Sequence, residues 1–230
     1  MKARHTLVSI AVVVFAAGCG GGGANGGFSP LLLPAAPPAQ PPAAPPPPAA
    51  SLAEKCPALK GRALAAGTVV IDDAKVVAAS APQPEYCVVT ASFKDSTLRF
   101  EARLPTSGWN GKLAFIGGGG FDGQMPTATA AQFSESILTE RYATVGTNGG
   151  YDYPGATDLN YFKGEFALDP VKLLDFTQQS EHRALPSGKE VIAQFFGTVP
   201  TRSYFEGCSM GGHDAMMQAQ RFPEDFDGIV

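Results

Sequence analysis

The sequence predicts an α/β protein with a mostly parallel sheet, helices on both faces of that sheet, and antiparallel strands at its N-terminal edge. From Lys112 onward, short apolar runs alternate with segments of helical periodicity, which is typical of parallel strands joined by helices. Before Lys112, strand-like runs follow one another with only turns between them, which favours antiparallel pairing. We expect the sheet to be incomplete at the C-terminus, because a strand is only beginning at the last residues.

Each predicted element is bounded by turn residues. The predicted strands are Thr68–Ile71, Tyr86–Phe93, Leu98–Leu104, Lys112–Ile116, Tyr142–Val145, Arg202–Phe205 and Phe226–Val230. The predicted helical segments are Thr127–Arg141, Asp169–Arg183, Pro186–Gly197 and Gly212–Arg221. Pro186 is expected to begin a helix of its own, since proline is favoured in a first helical turn.

The first 18 residues have the pattern of a signal peptide. Positive residues precede an apolar stretch from Leu7 to Ala17, which is too short to cross a bilayer as a helix. The run Ala16-Ala17-Gly18-Cys19 also resembles the lipobox of bacterial lipoproteins, so Cys19 is a candidate for lipidation. Plain secretion is the alternative. Either case predicts an extracytoplasmic protein, lipid-anchored to a bacterial membrane or secreted or periplasmic.

Residues 19–50 form the predicted tether. Gly20 to Gly27 is nearly all glycine, and residues 28–50 contain ten prolines and seven alanines. Such a segment favours a flexible start followed by an extended polyproline II spacer. The predicted globular domain therefore covers residues 51–230, and the lipid anchor would make the membrane a partner.

Composition excludes several classes of protein. The chain has 17 basic and 21 acidic residues and no dense basic cluster, which argues against nucleic-acid binding. No apolar run after the signal peptide approaches the length of a membrane span.

Export makes a disulfide between Cys56 and Cys87 reasonable, with two buried free thiols as the alternative. This pairing leaves Cys208 without a partner.

The motif with the clearest chemical meaning is Gly207-Cys208-Ser209-Met210-Gly211, which matches G-x-S-x-G. A predicted strand runs into it and a predicted helix leaves it, the arrangement of a nucleophile elbow with Ser209 at its apex. The alternative is an inert serine in a glycine-rich turn.

A second motif, Gly117–Gly120, follows a predicted strand. Acyl transfer needs two backbone N–H donors aimed at the oxyanion, one of them from the residue after the nucleophile. Met210 is the first candidate donor, and Gly119 and Gly120 are candidates for the second.

These segments, together with the block Tyr204–Gly212 and the tail Phe222–Ile229, resemble the tannase/feruloyl esterase family of secreted α/β-hydrolase serine esterases. The resemblance covers roughly residues 55–230, the N-terminal portion of such an enzyme. It implies hydrolysis of small aromatic esters through an acyl-enzyme on Ser209. It also implies that Cys208 pairs with a cysteine beside the catalytic histidine, beyond this chain. No cofactor or metal is expected in this chain; a structural calcium would belong to a lid domain that is also absent.

The triad partners of Ser209 are not evident. His213 lies one helical turn after the serine, and His182 lies in a helical segment where a surface role is the simpler interpretation. We therefore expect the triad Asp and His beyond Val230. The alternatives are a non-catalytic surface lipoprotein built on a truncated hydrolase scaffold, and a serine peptidase on the same fold.

Overall fold

A computed structural model describes residues 50–126, 135–152 and 164–230. The predicted signal peptide and nearly all of the predicted tether lie outside these residues, as does most of the first predicted helix, 127–141. Within the described ranges, no helix is long and apolar enough to span a bilayer.

Eight strands form one sheet in the described part of the chain. They are β1 Ala63–Leu64, β2 Val69–Val77, β3 Tyr86–Phe93, β4 Arg99–Pro105, β5 Lys112–Ile116, β6 Ala143–Thr147, β7 Arg202–Glu206 and β8 Gly228–Ile229. Their order across the sheet is β1-β2-β3-β4-β6-β5-β7-β8. Pairings from β1 to β6 along this order are antiparallel, and pairings from β6 to β8 are parallel. The predicted antiparallel N-terminal edge is therefore confirmed.

The strand order places a topological switch point at β5. The chain leaves β5 for β6 on one side and then crosses to β7 on the other, so β5 lies between two parallel neighbours. In open α/β sheets the crevice beyond the carboxyl ends of the strands at such a point is the usual ligand site. In this protein the glycine run Gly117–Gly120 begins at the carboxyl end of β5 and therefore at this crevice.

Helices cover both faces of the sheet, as predicted. Their bounds are α1 Leu52–Lys55, α2 Glu135–Thr139, α3 Pro170–Leu174, α4 Ser180–Phe196 and α5 Met210–Arg221. Side chains alternate along β3, so Tyr86 and Val88 pack with Leu138 of α2 on one face. Val89, on the other face, belongs to the main core with Leu185 of α4.

The main core is anchored by three aromatic rings under the parallel strands. Phe115 of β5 and Phe205 of β7 are fully buried and stack with their centroids 5.7 Å apart. Phe226, just before β8, packs edge-on against both. This packing fixes β5 and β7 side by side, and with them the loops that follow.

The prediction that Pro186 begins a helix was wrong. α4 is continuous from Ser180 to Phe196, with Pro186 inside it. An interior proline removes one backbone hydrogen bond and strains the turn before it. Burial on both sides of this position, at Leu185 and at Val191, offsets that cost, and Pro186 itself is exposed. A π-helical turn, Asp175–Gln179, connects α3 to α4, so the two predicted helical segments form one nearly continuous element.

Two further boundaries differ from the prediction. The two-residue strand β1 was not predicted, and β2 extends to Val77 because it pairs with β3 as far as Tyr86.

Cys56 and Cys87 form a disulfide with their Cα atoms 5.7 Å apart, and both residues are fully buried. The disulfide joins the residue that follows α1 to the second residue of β3.

Candidate active site

The G-x-S-x-G motif folds into a tight turn between β7 and α5. β7 ends at Glu206, α5 begins at Met210, and Ser209 lies at the apex and is exposed. Its backbone has φ 59° and ψ −118°, a left-handed conformation that costs a serine about 1–3 kcal/mol and persists only when its surroundings fix it. The predicted elbow is therefore present, with its serine accessible.

Close backbone contact explains the glycines of the turn. A Cβ atom at Gly207 would overlap the carbonyl of Gly211, so no other residue fits at position 207 without a backbone shift. A Cβ atom at Gly211 would lie 3.0 Å from the carbonyl carbon of Gly117. The first turn of α5 thus packs directly against the backbone of the glycine run.

Two hydrogen bonds join the glycine run Gly117–Gly120 to the elbow. The amide of Gly117 donates to the carbonyl of Glu206 (2.8 Å), continuing the parallel pairing of β5 with β7. The amide of Gly211 donates to the carbonyl of Gly118 (3.0 Å). The two segments singled out from the sequence are therefore in direct contact.

The candidate oxyanion donors have unused hydrogens. Within the part of the chain that the structure describes, the amides of Gly119, Gly120 and Met210 donate no hydrogen bond. Met210 is the first residue of α5, where helix N–H groups lack intrahelical partners and the helix dipole favours negative charge.

Neither described histidine bonds to Ser209. The Nδ1 atom of His182 lies 2.7 Å from Asp225 Oδ2, and its ring stacks on Phe222 with centroids 3.8 Å apart. The Nδ1 atom of His213 lies 3.3 Å from Asp214 Oδ1. Both described histidine rings are thus held beside aspartates rather than beside the serine.

A group of buried carboxyls lies beneath the glycine run. Asp122, Glu181 and Asp214 are each at most 4% exposed. Burial, with a smaller contribution from the charge of Glu181, raises the pKa of Asp122 to about 8. Burial, followed by the charges of Glu181 and Asp122, raises the pKa of Asp214 to about 10. The pKa of Glu181 is also raised, chiefly by burial.

Sequence reasoning missed this carboxyl group. A signal was available for Asp214, because buried residues of α5 recur at Gly211, Asp214, Ala215 and Gln218. That helical spacing places Asp214 on the inward face. No comparable pattern marks Asp122 in its loop.

Aromatic rings lie next to the glycine run. Phe121 directly follows Gly120, and the hydroxyl of Tyr151 donates to its carbonyl. Tyr151 stacks on Phe166 with centroids 4.0 Å apart, and Phe176 packs edge-on against Phe166 at 4.7 Å. Tyr151 is buried, and the three phenylalanines are half-buried.

The remaining predicted site residues are placed as follows. Cys208 is a free, exposed cysteine, and Cys19 lies outside the described residues. Across the described ranges, no group of three or more His, Cys, Asp or Glu side chains is arranged to hold a metal ion.

The family model for tannase and feruloyl esterase matches residues 85–230. The chain belongs to the tannase and feruloyl esterase family. The match includes both the glycine run and the elbow, and it confirms the resemblance noted from the motifs.

Curated relatives agree with this assignment. The mono(2-hydroxyethyl) terephthalate hydrolase of Piscinibacter sakaiensis is 37% identical over 172 residues, covering 69% of this chain and 28% of that protein. Feruloyl esterase B of Aspergillus niger is 34% identical over 149 residues, covering 64% of this chain and 26% of that protein. The chain thus spans little more than a quarter of the length of these relatives.

Among solved structures, an esterase from Aspergillus oryzae superposes with a TM-score of 0.65 at 25% identity, covering 78% of this chain and 37% of that one. Feruloyl esterase B from Aspergillus oryzae gives a TM-score of 0.62 at 24% identity, covering 78% and 36%. These similarities confirm the α/β-hydrolase type of fold predicted from the sequence.

Proposed function

We propose that this chain carries the nucleophile and oxyanion hole of a carboxylic ester hydrolase that acts through an acyl-enzyme on Ser209. One observation carries the proposal: an exposed serine lies at a strained strand–helix turn that packs against the glycine run, and among the described residues the amides of Gly119 and Gly120 in that run donate no hydrogen bond. A nucleophile needs access, and the charge that develops during attack needs donors fixed in advance.

The reaction follows from this arrangement. Ser209 Oγ attacks the ester carbonyl carbon, its proton passes to a general base, and the carbonyl oxygen becomes an oxyanion. The amides of Met210 and of Gly119 or Gly120 bind that oxygen. Collapse of the intermediate expels the alcohol, which takes the proton from the base, and water then hydrolyses the acyl-enzyme by the same steps. The base and its acid partner are proposed to come from outside the described residues.

Aromatic esters are the proposed substrates. The half-buried rings of Phe121, Phe166 and Phe176 offer an aromatic surface beside the oxyanion loop, and rings of this kind attract other rings by stacking. The relatives named feruloyl esterase and mono(2-hydroxyethyl) terephthalate hydrolase act on aromatic compounds by name. A small aromatic carboxylic ester fits both observations.

We further propose that the protein works outside the cytoplasm, held by lipidated Cys19 or released by secretion. The buried Cys56–Cys87 disulfide supports an oxidising compartment. Mass spectrometry of the mature N-terminus tests the anchor. An acylated Cys19 at the N-terminus is expected; cleavage after Cys19, or an unmodified Cys19, contradicts lipidation.

A non-catalytic surface lipoprotein is the second candidate, favoured by the pairing of both described histidines with aspartates rather than with Ser209. Hydrolysis assays on the protein expressed from its complete gene separate the two. Methyl ferulate and an aliphatic p-nitrophenyl ester serve as substrates. Ser209→Ala is expected to abolish turnover of both, whereas the control Ser92→Ala, on β3, leaves it intact. Equal rates for wild type and Ser209→Ala would contradict the esterase proposal.

A further inference from the structure

The glycine run ends in a tight turn that contains Gly120 and Phe121. The amide of Asp122 donates to the carbonyl of Gly119 (2.9 Å), and this hydrogen bond closes the turn. Gly120 has φ 64° and Asp122 has φ 59°, so both residues have a left-handed backbone conformation. A residue other than glycine keeps such a conformation only where its surroundings hold it. The shape of the turn therefore depends on the contacts that its peptide groups make.

The hydroxyl of Tyr151 makes one of these contacts. It donates to the carbonyl of Phe121, and the N–H of the same peptide group is the Asp122 amide that closes the turn. The Phe121–Asp122 peptide group is thus held at both of its polar ends. Because a peptide group is planar and rotates as one unit, rotating it would break both hydrogen bonds together.

A second peptide group carries this constraint to a candidate oxyanion donor. The carbonyl of Gly119, which accepts from Asp122, belongs to the same peptide group as the amide of Gly120. In a trans peptide group the C=O and N–H bonds point in opposite directions. A hydrogen bond that holds the Gly119 carbonyl therefore also fixes the direction of the Gly120 N–H.

The other candidate donor, Gly119, is oriented by the elbow instead. The carbonyl of Gly118 accepts from the amide of Gly211 (3.0 Å), and the same peptide group carries the N–H of Gly119. α5 thus orients the Gly119 amide, whereas the turn and Tyr151 orient the Gly120 amide. The two candidate donors depend on different parts of the protein.

Tyr151 is itself firmly placed. It is 5% exposed, and its ring stacks on Phe166 with centroids 4.0 Å apart. Asn148, fully buried just after β6, accepts from the amide of Gly150 through its side-chain oxygen (3.2 Å) and from the amide of Gly123 through its backbone carbonyl (3.0 Å). Asn148 therefore fixes the segment that carries Tyr151 against the chain that follows the turn.

We propose that Tyr151 is a positioning residue for ester hydrolysis: its hydroxyl holds the Phe121–Asp122 peptide group and thereby aims the Gly120 amide at the oxyanion that forms when Ser209 attacks. This proposal rests on the proposed function and adds a residue to it. Tyr151 acts through the turn, since its hydroxyl donates to Phe121 rather than to the substrate.

The effect on the reaction follows from the need for donors that are fixed before charge develops. Without the Tyr151 hydroxyl, the Phe121 carbonyl loses that hydrogen bond, and Asp122 can leave its left-handed conformation. The Gly119 carbonyl then loses its partner, and the Gly120 amide is free to rotate away from the oxyanion. The ground state of the bound ester gains little from this amide, so the loss falls on the transition state.

The test compares Tyr151→Phe with the control Tyr86→Phe, both in the protein expressed from its complete gene. Tyr151→Phe deletes one hydroxyl and keeps the ring that stacks on Phe166. Tyr86 is a matched control, because it is also buried, at 7% exposed, and its hydroxyl accepts from Arg103 of β4 (3.5 Å).

Four readouts are measured on each variant. They are kcat and KM for methyl ferulate, the rate of Ser209 labelling by a fluorophosphonate, hydrogen exchange of the peptide covering residues 117–123, and urea unfolding. Rates are compared at equal folded fraction, which the urea titration supplies, so that a loss of stability is not counted as a loss of positioning.

We expect Tyr151→Phe to lower kcat and the labelling rate by about 10- to 100-fold, somewhat less than complete removal of an oxyanion donor. KM should stay within about twofold of wild type, because the aromatic ring is retained and the lost interaction is made in the transition state. Exchange in residues 117–123 should rise, since the Asp122 amide loses protection. Tyr86→Phe should leave kcat, KM and this exchange unchanged.

Three outcomes overturn the proposal. Wild-type kcat and exchange in Tyr151→Phe would show that the hydroxyl does not hold the turn. A raised KM with unchanged kcat would show that Tyr151 contacts the substrate. Equal losses of kcat in Tyr151→Phe and Tyr86→Phe would show a general effect of deleting a buried hydroxyl. Failure of the proposed function looks different: wild type would be unlabelled, and the exchange of residues 117–123 in Tyr151→Phe would then decide alone whether the hydroxyl holds the turn.

Discussion

Ser209 has a backbone conformation that serine rarely adopts, and its neighbours show what holds it there. The turn is closed by direct backbone packing of Gly207 against Gly211, with no room for a side chain at position 207. The strain at Ser209 is therefore balanced by contacts that only glycine allows.

The first prediction concerns Gly207→Ala. The added methyl would overlap the carbonyl of Gly211, so the elbow must open by shifting β7 or α5. We expect the free energy of unfolding to fall by about 1–3 kcal/mol, as in overpacked sites. The fluorophosphonate labelling rate should fall by about 100-fold or more, since small misplacements of a nucleophile have effects of that size. Urea unfolding and labelling kinetics measure the two effects.

Gly212→Ala is the matched control. It lies one residue after Gly211 on α5, and the nearest atom to its added Cβ is 3.8 Å away, an ordinary contact. Alanine in a helix should raise the free energy of unfolding by about 0.5–1 kcal/mol. Equal effects of the two substitutions would show that steric overlap at Gly207 does not shape the elbow.

The residue scale also shows what sequence can predict about a site. G-x-S-x-G and the glycine run identify backbone geometry directly, because only glycine tolerates such close contact. Helical spacing could have placed Asp214 on the inward face of α5, but its proximity to Asp122 arises from a tertiary contact between a loop and a helix that no local pattern encodes.

At the scale of elements, the disulfide joins the segment after α1 to β3. Its two cysteines are 31 positions apart in sequence. In the chain-entropy model, closing a loop of that size stabilises the fold by about 3–4 kcal/mol. It attaches the N-terminal segment to a strand whose side chains contribute to both faces of the sheet.

We therefore predict that the double variant Cys56→Ala/Cys87→Ala loses about 2–4 kcal/mol of unfolding free energy, measured by urea titration. Thr198→Ala is the control, because Thr198 is exposed and its substitution should change stability little. Reductant should destabilise wild type more than it destabilises the double variant. An unchanged midpoint in the double variant would contradict a stabilising role for the disulfide.

Strand and helix boundaries also show where sequence patterns stop being informative. β3 and β5 have the predicted bounds, because apolar runs closed by turn residues specify a strand locally. The continuation of α4 through Pro186 depends instead on burial of both halves of the helix against the sheet. Tertiary packing here overrides a local breaker.

For the whole molecule, the buried carboxyls predict an unusual pH dependence of stability. The pKa of Asp122 is about 8 in the folded protein and about 4 when unfolded, so the folded state binds the extra proton between these values. Its contribution to stability is fully present below about pH 4 and is lost as the pH rises toward 8. Asp214, with its higher folded pKa, extends this loss further into alkaline solution.

We predict that Asp122→Asn raises the free energy of unfolding at pH 7 by about 2–4 kcal/mol and flattens its decline between pH 4 and 8. The gain should vanish well below pH 4, where the Asp122 carboxyl of wild type is protonated in both the folded and the unfolded state. Urea unfolding across this range measures it, with the exposed Asp72→Asn as control. If the free energy of unfolding of wild type rises from pH 5 to 8 and Asp122→Asn removes that rise, the raised pKa of Asp122 is contradicted.

The overall architecture followed from the order of strands and helices, since alternating elements admit few sheet topologies. We expected the elbow and the glycine run to lie close together because acyl transfer needs two oxyanion donors. The structure shows that both segments leave the carboxyl ends of adjacent parallel strands. The sequence does not show that the aromatic rings and the buried carboxyls lie next to the glycine run, because these contacts form only when the chain folds.

The most direct test of the central claim is to locate the covalent adduct that a fluorophosphonate forms with the protein expressed from its complete gene. Peptide mapping by mass spectrometry should place a single adduct on Ser209, and Ser209→Ala should carry none. A protein that remains unlabelled, or an adduct on another serine that persists in Ser209→Ala, would contradict the account.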